Sequence, residues 1–197
     1  MKKLAPLLAL PVLTLPLAAC ISFGAKPPPS LLTLNAQSSI AVGETQNSSA
    51  AKTITIGVPA VPQELATARV PVRSGGTAIA YVKNAQWVEN PARLFARLLA
   101  DTVTTRTGRV VLSNRQSLVD PGARLSGELR AFGVDAGTSE AVVTFDASLM
   151  RGEEAVFEKR RFEARVPVSP IEAAPVGTAL NQAANQVAAQ VAEWVGP

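Results

Sequence analysis

The sequence predicts an α+β domain in two layers: a curved, largely antiparallel sheet of about six strands with two helices packed on one face. Three observations carry this. Stretches that alternate apolar and polar residues, such as TITIGV from Thr53, recur between glycine and proline turns. Two other stretches, one after Asn90 and one closing the chain, repeat apolar residues every three or four positions. The order is strands, helix, strands, helix.

The N-terminus precedes that domain and has its own chemistry. Met1-Lys2-Lys3 is followed by LAPLLALPVLTLPLAA, without charge, and then by Cys20. A basic start, a short apolar stretch and small residues before a cut describe a secretory signal over residues 1–19. A spanning helix needs roughly 20 apolar residues; this stretch is shorter and is interrupted by Pro6, Pro11 and Pro16. Cys20 is the only cysteine, so it has no disulfide partner within the chain. Leu17-Ala18-Ala19-Cys20 resembles the lipobox of bacterial lipoproteins. That resemblance implies a diacylglycerol on the thiol, cleavage before Cys20 and a further acyl chain on the new amino group. Two or more chains hold a protein stably on a membrane. Ile21 and Ser22 differ from the Asp associated with inner-membrane retention, so the outer membrane is the expected site, on the periplasmic side.

Residues 20–52 form the lipidated N-terminus, a spacer and a first short strand. Three consecutive prolines, Pro27 to Pro29, favour an extended spacer. Leu31 to Leu34 is a short apolar run, and residues 35 to 52 read as a loop. Residues 53–197 then form a single α/β domain.

Composition excludes several classes of function. The mature chain carries 17 Lys and Arg against 15 Asp and Glu, a net charge of only +2, which argues against a nucleic-acid partner. There is no histidine. With one cysteine assigned to lipidation, His-based acid–base chemistry, Ser-His and Cys-His nucleophiles and the usual zinc and copper ligand sets are absent. No phosphate loop and no GxSxG elbow occurs. No cofactor, metal site or catalytic residue is expected beyond the acyl chains on Cys20.

Along the domain, Thr53 starts a strand ended by Pro59 and Pro62. Arg69 to Arg73 and Thr77 to Val88 flank Gly75-Gly76, with Ile79, Tyr81 and Trp87 sharing one parity. Asn90-Pro91 is a helix start with Asn as N-cap, and Leu94, Phe95, Leu98, Leu99 and Val103 form its apolar stripe before Gly108. Arg109 to Ser113 is a strand. Three more, Arg124 to Val134, Glu140 to Met150 and Ala155 to Val166, form a meander. In the first of them Leu125, Leu129 and Ala131 take one face, while Phe132 and Val134 fall on the polar parity, which predicts a bulge or a second buried surface. The last helix begins near Ser169-Pro170 or after Pro175. Its face of Asn181, Gln182, Asn185, Gln186 and Gln190 is either simply solvated or a packing surface for another protein.

A lipobox, a short apolar strand, Tyr81-x5-Trp87-x3-Pro91 leading into a Leu-rich helix, a three-strand meander and an Ala-rich final helix together resemble the auxiliary lipoproteins of ATP-binding-cassette transport systems of the Mce type. The resemblance implies a partner, the Mce-domain subunit that carries phospholipid or sterol between membranes, with ATPase and permease on separate chains. The sequence departs from the family in having Leu31-Leu32 where tyrosines are common.

Tyr81 and Trp87 are the candidates for a partner or lipid contact, since aromatics combine large contact area with a polar tip; core packing is the commoner role for an aromatic on an alternating strand, above all for Trp87. Glu158-Lys159-Arg160-Arg161 reads as a guard on an edge strand rather than a membrane or partner contact. The expected function is that of a membrane-anchored accessory protein that binds the Mce-type subunit and tethers it to the outer membrane, with self-association possible. The alternatives are a periplasmic lipid carrier and, from another class, a carboxylate-based envelope hydrolase. For the last, Asp101, Asp120, Glu128, Asp135, Glu140 and Asp146 are available, but their spacing nominates no pair.

Overall fold

The longest alternating stretch of the chain becomes the strand on which the others are hung. The computed structural model describes residues 30–118, 122–151 and 156–197. Among them, β1 (Thr53–Ile56), β2 (Arg69–Ser74), β3 (Ala78–Gln86), β4 (Val110–Leu112), β5 (Ala123–Asp135), β6 (Glu140–Met150) and β7 (Phe157–Pro167) form one sheet. Helix α1 (Pro91–Thr107) lies between β3 and β4 in sequence, and α2 (Ala173–Val195) follows β7. The predicted signal, Cys20 and the proline spacer lie outside the described residues, as do Asp120 and Glu153-Glu154.

Strand β5 pairs with β6 along its whole length, and β6 with β7, both antiparallel, as the predicted meander requires. The opposite edge of β5 is shared. Its first residues pair in parallel with β1, its last with β2, and the chain from Gly57 to Ala60 laces the gap through main-chain hydrogen bonds to Leu125, Gly127 and Leu129. Strand β4 adds in parallel outside β1, and β3 antiparallel outside β2. The sheet is therefore mixed and seven-stranded, where the sequence predicts about six strands in a largely antiparallel sheet. Parallel and antiparallel neighbours produce the same one-sided alternation, so periodicity does not separate them.

The predicted bulge is present. The register of β5 against β6 shifts between Leu129 and Ala131, with Arg130 as the extra residue. Before it Leu125 and Leu129 face the helices; after it Phe132 and Val134 do, and Ala131 moves to the open face, opposite to its predicted placement. A second irregularity lies at Asn84, whose φ is +58°. It reverses the parity of β3: Val82 is buried before it, Ala85 and Trp87 after it. Ile79 and Tyr81 thus do not share the face of Trp87, as the alternation predicted, because a single residue with positive φ resets the pleat.

The core lies between sheet and helices. Phe132 packs against Trp87 and Phe95 with ring centroids 5.3 and 6.3 Å apart, and Phe95 meets Phe145 edge-on at 5.4 Å. Asn90 caps α1, its side chain accepting from the Ala92 amide at 2.9 Å, and Gly108, at φ +72°, ends the helix. Helix α2 starts at Ala173, between its two predicted starts. Its C-terminal carbonyls are held by cations, which suits the negative end of the helix dipole. The buried Arg109 donates to the oxygens of Gly196 (2.8 Å) and Pro197 (3.1 Å), and Arg151 to Val195 (2.8 Å) and Trp194 (3.1 Å).

The first short strand reduces to one residue. Leu32 makes a parallel bridge to Trp87, donating to Gln86 O at 2.7 Å and accepting from the Val88 amide at 2.9 Å. From there residues 32–37 run along α2 as a strap. Leu32 fills a notch over Gly177, where a Cβ would sit 2.6 Å from its Cδ2. Asn181 accepts from the Asn35 amide at 2.8 Å; Asn185 accepts from the Gln37 amide at 2.9 Å and donates to Asn35 O at 2.9 Å. Part of the amide face of α2 is therefore a packing surface for this chain's own N-terminal segment, while Gln182, Gln186 and Gln190 remain exposed. Substitution Asn185→Ala removes two of these three bonds to the strap backbone at once. It is expected to lower unfolding stability by about 1–3 kcal/mol, measured by denaturant titration, and to speed proteolytic cleavage within residues 30–40.

Candidate interaction site

The helices cover one face of the sheet, and the other carries the candidate site. The bulge at Arg130 shapes it. By turning Phe132 and Val134 inward it leaves Ala131 and Gly133 as a low floor, joined by Val142 and Pro71. Gly133 is required there, because a Cβ would lie 2.4 Å from Pro71 O. The resulting groove holds about 320 Å³ and is walled by Arg73, Arg130, Arg161 and Arg165 together with Glu64, Asp135 and Glu163.

These charges are mutually paired. Arg161 binds Asp146 through two parallel bonds of 2.5 and 2.7 Å, and Arg130 lies 3.7 Å from the same carboxylate. Arg165 donates to Glu163 (2.7 Å) and Glu140 (3.3 Å), and Thr144 Oγ1 donates to Glu163 at 2.8 Å. Arg73 pairs with Glu64. The arginine hydrogen bond holds the Asp146 carboxyl below its ordinary range, and Arg165, then Thr144, does the same for Glu163. A general acid needs a raised pKa. Glu128, Asp135, Glu140 and Asp146, candidates for an envelope hydrolase, lie on this face beside arginines. Asp101, whose carboxyl is raised by partial burial, stands apart on α1. The arrangement suits recognition of a surface with charges of both signs rather than acid–base chemistry.

The predicted contact residues separate. Trp87 is 1% exposed, sealed between Phe132 and the strap. Tyr81 is half-buried on β3, with the Arg69 guanidinium carbon 3.9 Å from its ring centroid. Cys20 lies outside the described residues. The groove itself was missed by sequence reading; its traces were the alternating charges Lys159, Arg161, Glu163 and Arg165 on β7 and the displaced parity of Phe132 and Val134. Among the described residues no group of His, Cys, Asp and Glu is placed to hold a metal ion, and no helix is long and apolar enough to cross a membrane.

The two helices on one face of a mixed sheet define a domain of the α+β class. The chain belongs to the family of ABC-type transport auxiliary lipoprotein components, whose sequence profile matches residues 33–192. It is therefore a lipoprotein-family component associated with an ABC transport system, a role that points away from catalysis. A crystal structure of a Xanthomonas campestris protein from a domain family of unknown function is similar at 18% identity and TM-score 0.68, covering 84% of this chain and 94% of that one. An uncharacterised protein is similar at 14% identity and TM-score 0.65, covering 85% and 100%. At such identities both likenesses concern the fold. No functionally curated protein matches the chain.

The two aromatic candidates are separable by experiment. Trp87→Ala is expected to cost about 3–5 kcal/mol of unfolding stability, as for a large core side chain. Tyr81→Ala is expected to stay within about 1 kcal/mol, since it loses little more than the contact with Arg69. Parallel denaturant titrations of the two variants check this.

Proposed function

We propose that this protein is a periplasmic accessory lipoprotein of an ABC/Mce-type lipid transporter, moving phospholipid or sterol, that binds the Mce-type subunit and tethers it to the outer membrane. The family match over residues 33–192 is the observation that carries the reading. Cys20, acylated on its thiol and amino group, is the anchor. The strap supports that role: it starts at Leu32, with eleven residues between it and Cys20, and holds the chain that comes from the membrane against α2 and β3. Eleven residues span at most about 40 Å, so the domain stays close to one membrane and its effective concentration for a partner crossing the periplasm is raised. The layer between helices and sheet is filled by Trp87, Phe95, Phe132 and Phe145, which favours docking over carriage of a lipid inside the domain.

The test is co-purification. A C-terminally tagged protein is extracted from the envelope in mild detergent and its companions are identified by mass spectrometry, with Cys20→Ala as control. Recovery of an Mce-domain subunit from wild type, and its reduction in the control, is the expected result. Recovery of no transporter subunit even after cross-linking overturns the reading.

A further inference from the structure

The two edges of the sheet are treated differently. The β7 edge carries Glu158, Lys159, Arg160 and Arg161, the kind of charge that keeps an edge from pairing. The β3 edge carries GTAIAYV, residues 76 to 82, with neither charge nor proline. Residues 73 to 80 are all exposed, Ile79 at 42%. Among the described residues, β3 pairs with β2 on one side and with Leu32 on the other, and Leu32 reaches only Gln86 and Val88.

The direction of the main-chain groups follows from the ladder. Arg73 O accepts from the Ala136 amide beyond β5, so Arg73 faces β5, and its neighbours Val72 and Ser74 face β3, opposite Ala80 and Ala78. Ile79 and Tyr81 therefore turn their N–H and C=O groups away from the sheet. Only another extended chain satisfies such a row in full. The charge beside it has one sign: from Arg69 to Val88 the chain has Arg69, Arg73 and Lys83 and no acid. Arg73 is paired with Glu64, whereas Arg69 and Lys83 have no carboxylate within 4.0 Å among the described residues.

We infer that the β3 edge from Ala78 to Lys83 is a docking site for an extended segment of the partner subunit, with apolar residues alternating with acidic ones, which joins the sheet as an added strand. Leu32 already joins the same edge in this way two residues beyond Asn84, where the positive φ separates the occupied part from the open part. Arg69 and Lys83 recognise the acidic residues on the open face, beside Ile79 and the Tyr81 ring, and the alternate apolar residues lie on the face of Ala78 and Ala80. The inference rests on the proposed partner.

The test uses the full-length protein in detergent and the purified Mce-type subunit of the same organism, with affinity measured by interferometry and amide protection by hydrogen exchange. Ile79→Pro removes an outward N–H while leaving the bonds to β2, and Ile79→Thr keeps that N–H. Expected are protection of the Ile79 and Tyr81 amides in the complex, affinity about tenfold weaker for Ile79→Pro, near-wild-type affinity for Ile79→Thr, and weaker binding for Lys83→Glu. Binding by wild type with no protection of those two amides overturns the edge site and leaves the partner standing, and this holds even where Ile79→Pro fails to fold. Protection that grows with protein concentration in the absence of the subunit gives the edge to a second copy and overturns the inference. No binding by wild type overturns the partner reading and the edge site with it.

Discussion

Everything in this domain is positioned by one long strand with one extra residue. Strand β5 serves three neighbours: β6 along one edge, β1 and β2 in succession along the other. Such a strand must present apolar residues to the helices over 13 positions while bending around them. The extra residue at Arg130 reconciles these demands. It lets Leu129 and Phe132 both face the core and leaves the small residues Ala131 and Gly133 on the open side. The same local event thus closes the core around Phe132 and opens the groove among the arginines.

From that strand the path runs outward to the first described residues of the chain. Strand β2 docks on the end of β5, β3 on β2, and Leu32 on β3, so Leu32 is the outermost layer of the sheet at its Trp87 end. The strap that Leu32 begins is also the layer laid on α2, through the notch at Gly177 and the side chains of Asn181 and Asn185. The strap is therefore held by sheet and helix together. The far end of α2 is fixed independently by Arg109 and Arg151, which keeps the helix from sliding along the strap. The strap thus ties the sheet to α2 at one end of the domain, and leaves the open face and the β3 edge uncovered among the described residues.

Much of this was legible in residues. The Asn90-Pro91 start and Gly108 stop of α1 depend on capping chemistry that acts over a few positions, and both stand where expected. The meander depends on clean alternation from Glu140 to Met150. The bulge was legible because two large apolar residues, Phe132 and Val134, stood on the wrong parity. What was not legible depended on partners distant in sequence. Nothing local in Asn185 says that its amide will meet Gln37, 148 residues away. The parity of Ile79 and Tyr81 was misread because Asn84 adopts a positive φ, which an asparagine tolerates but does not announce. The groove is assembled from β2, β5, β6 and β7, so no single stretch contained it. Leu17-Ala18-Ala19-Cys20, which resembles a lipobox, was the sharpest chemical signal in the chain and lies outside the described residues.

The central claim is that the strap of residues 32–37 is an integral layer of the fold. Amide hydrogen exchange at Asn35 and Gln37 tests it most directly, with Val42, Gly43, Thr45 and Gln46 of the exposed loop as an internal standard for backbone outside any ladder. If the strap is part of the fold, these two amides exchange far more slowly than the loop and together with the middle turns of α2. Exchange of both at the rate of the loop would contradict the claim, and would make the strap a passive linker.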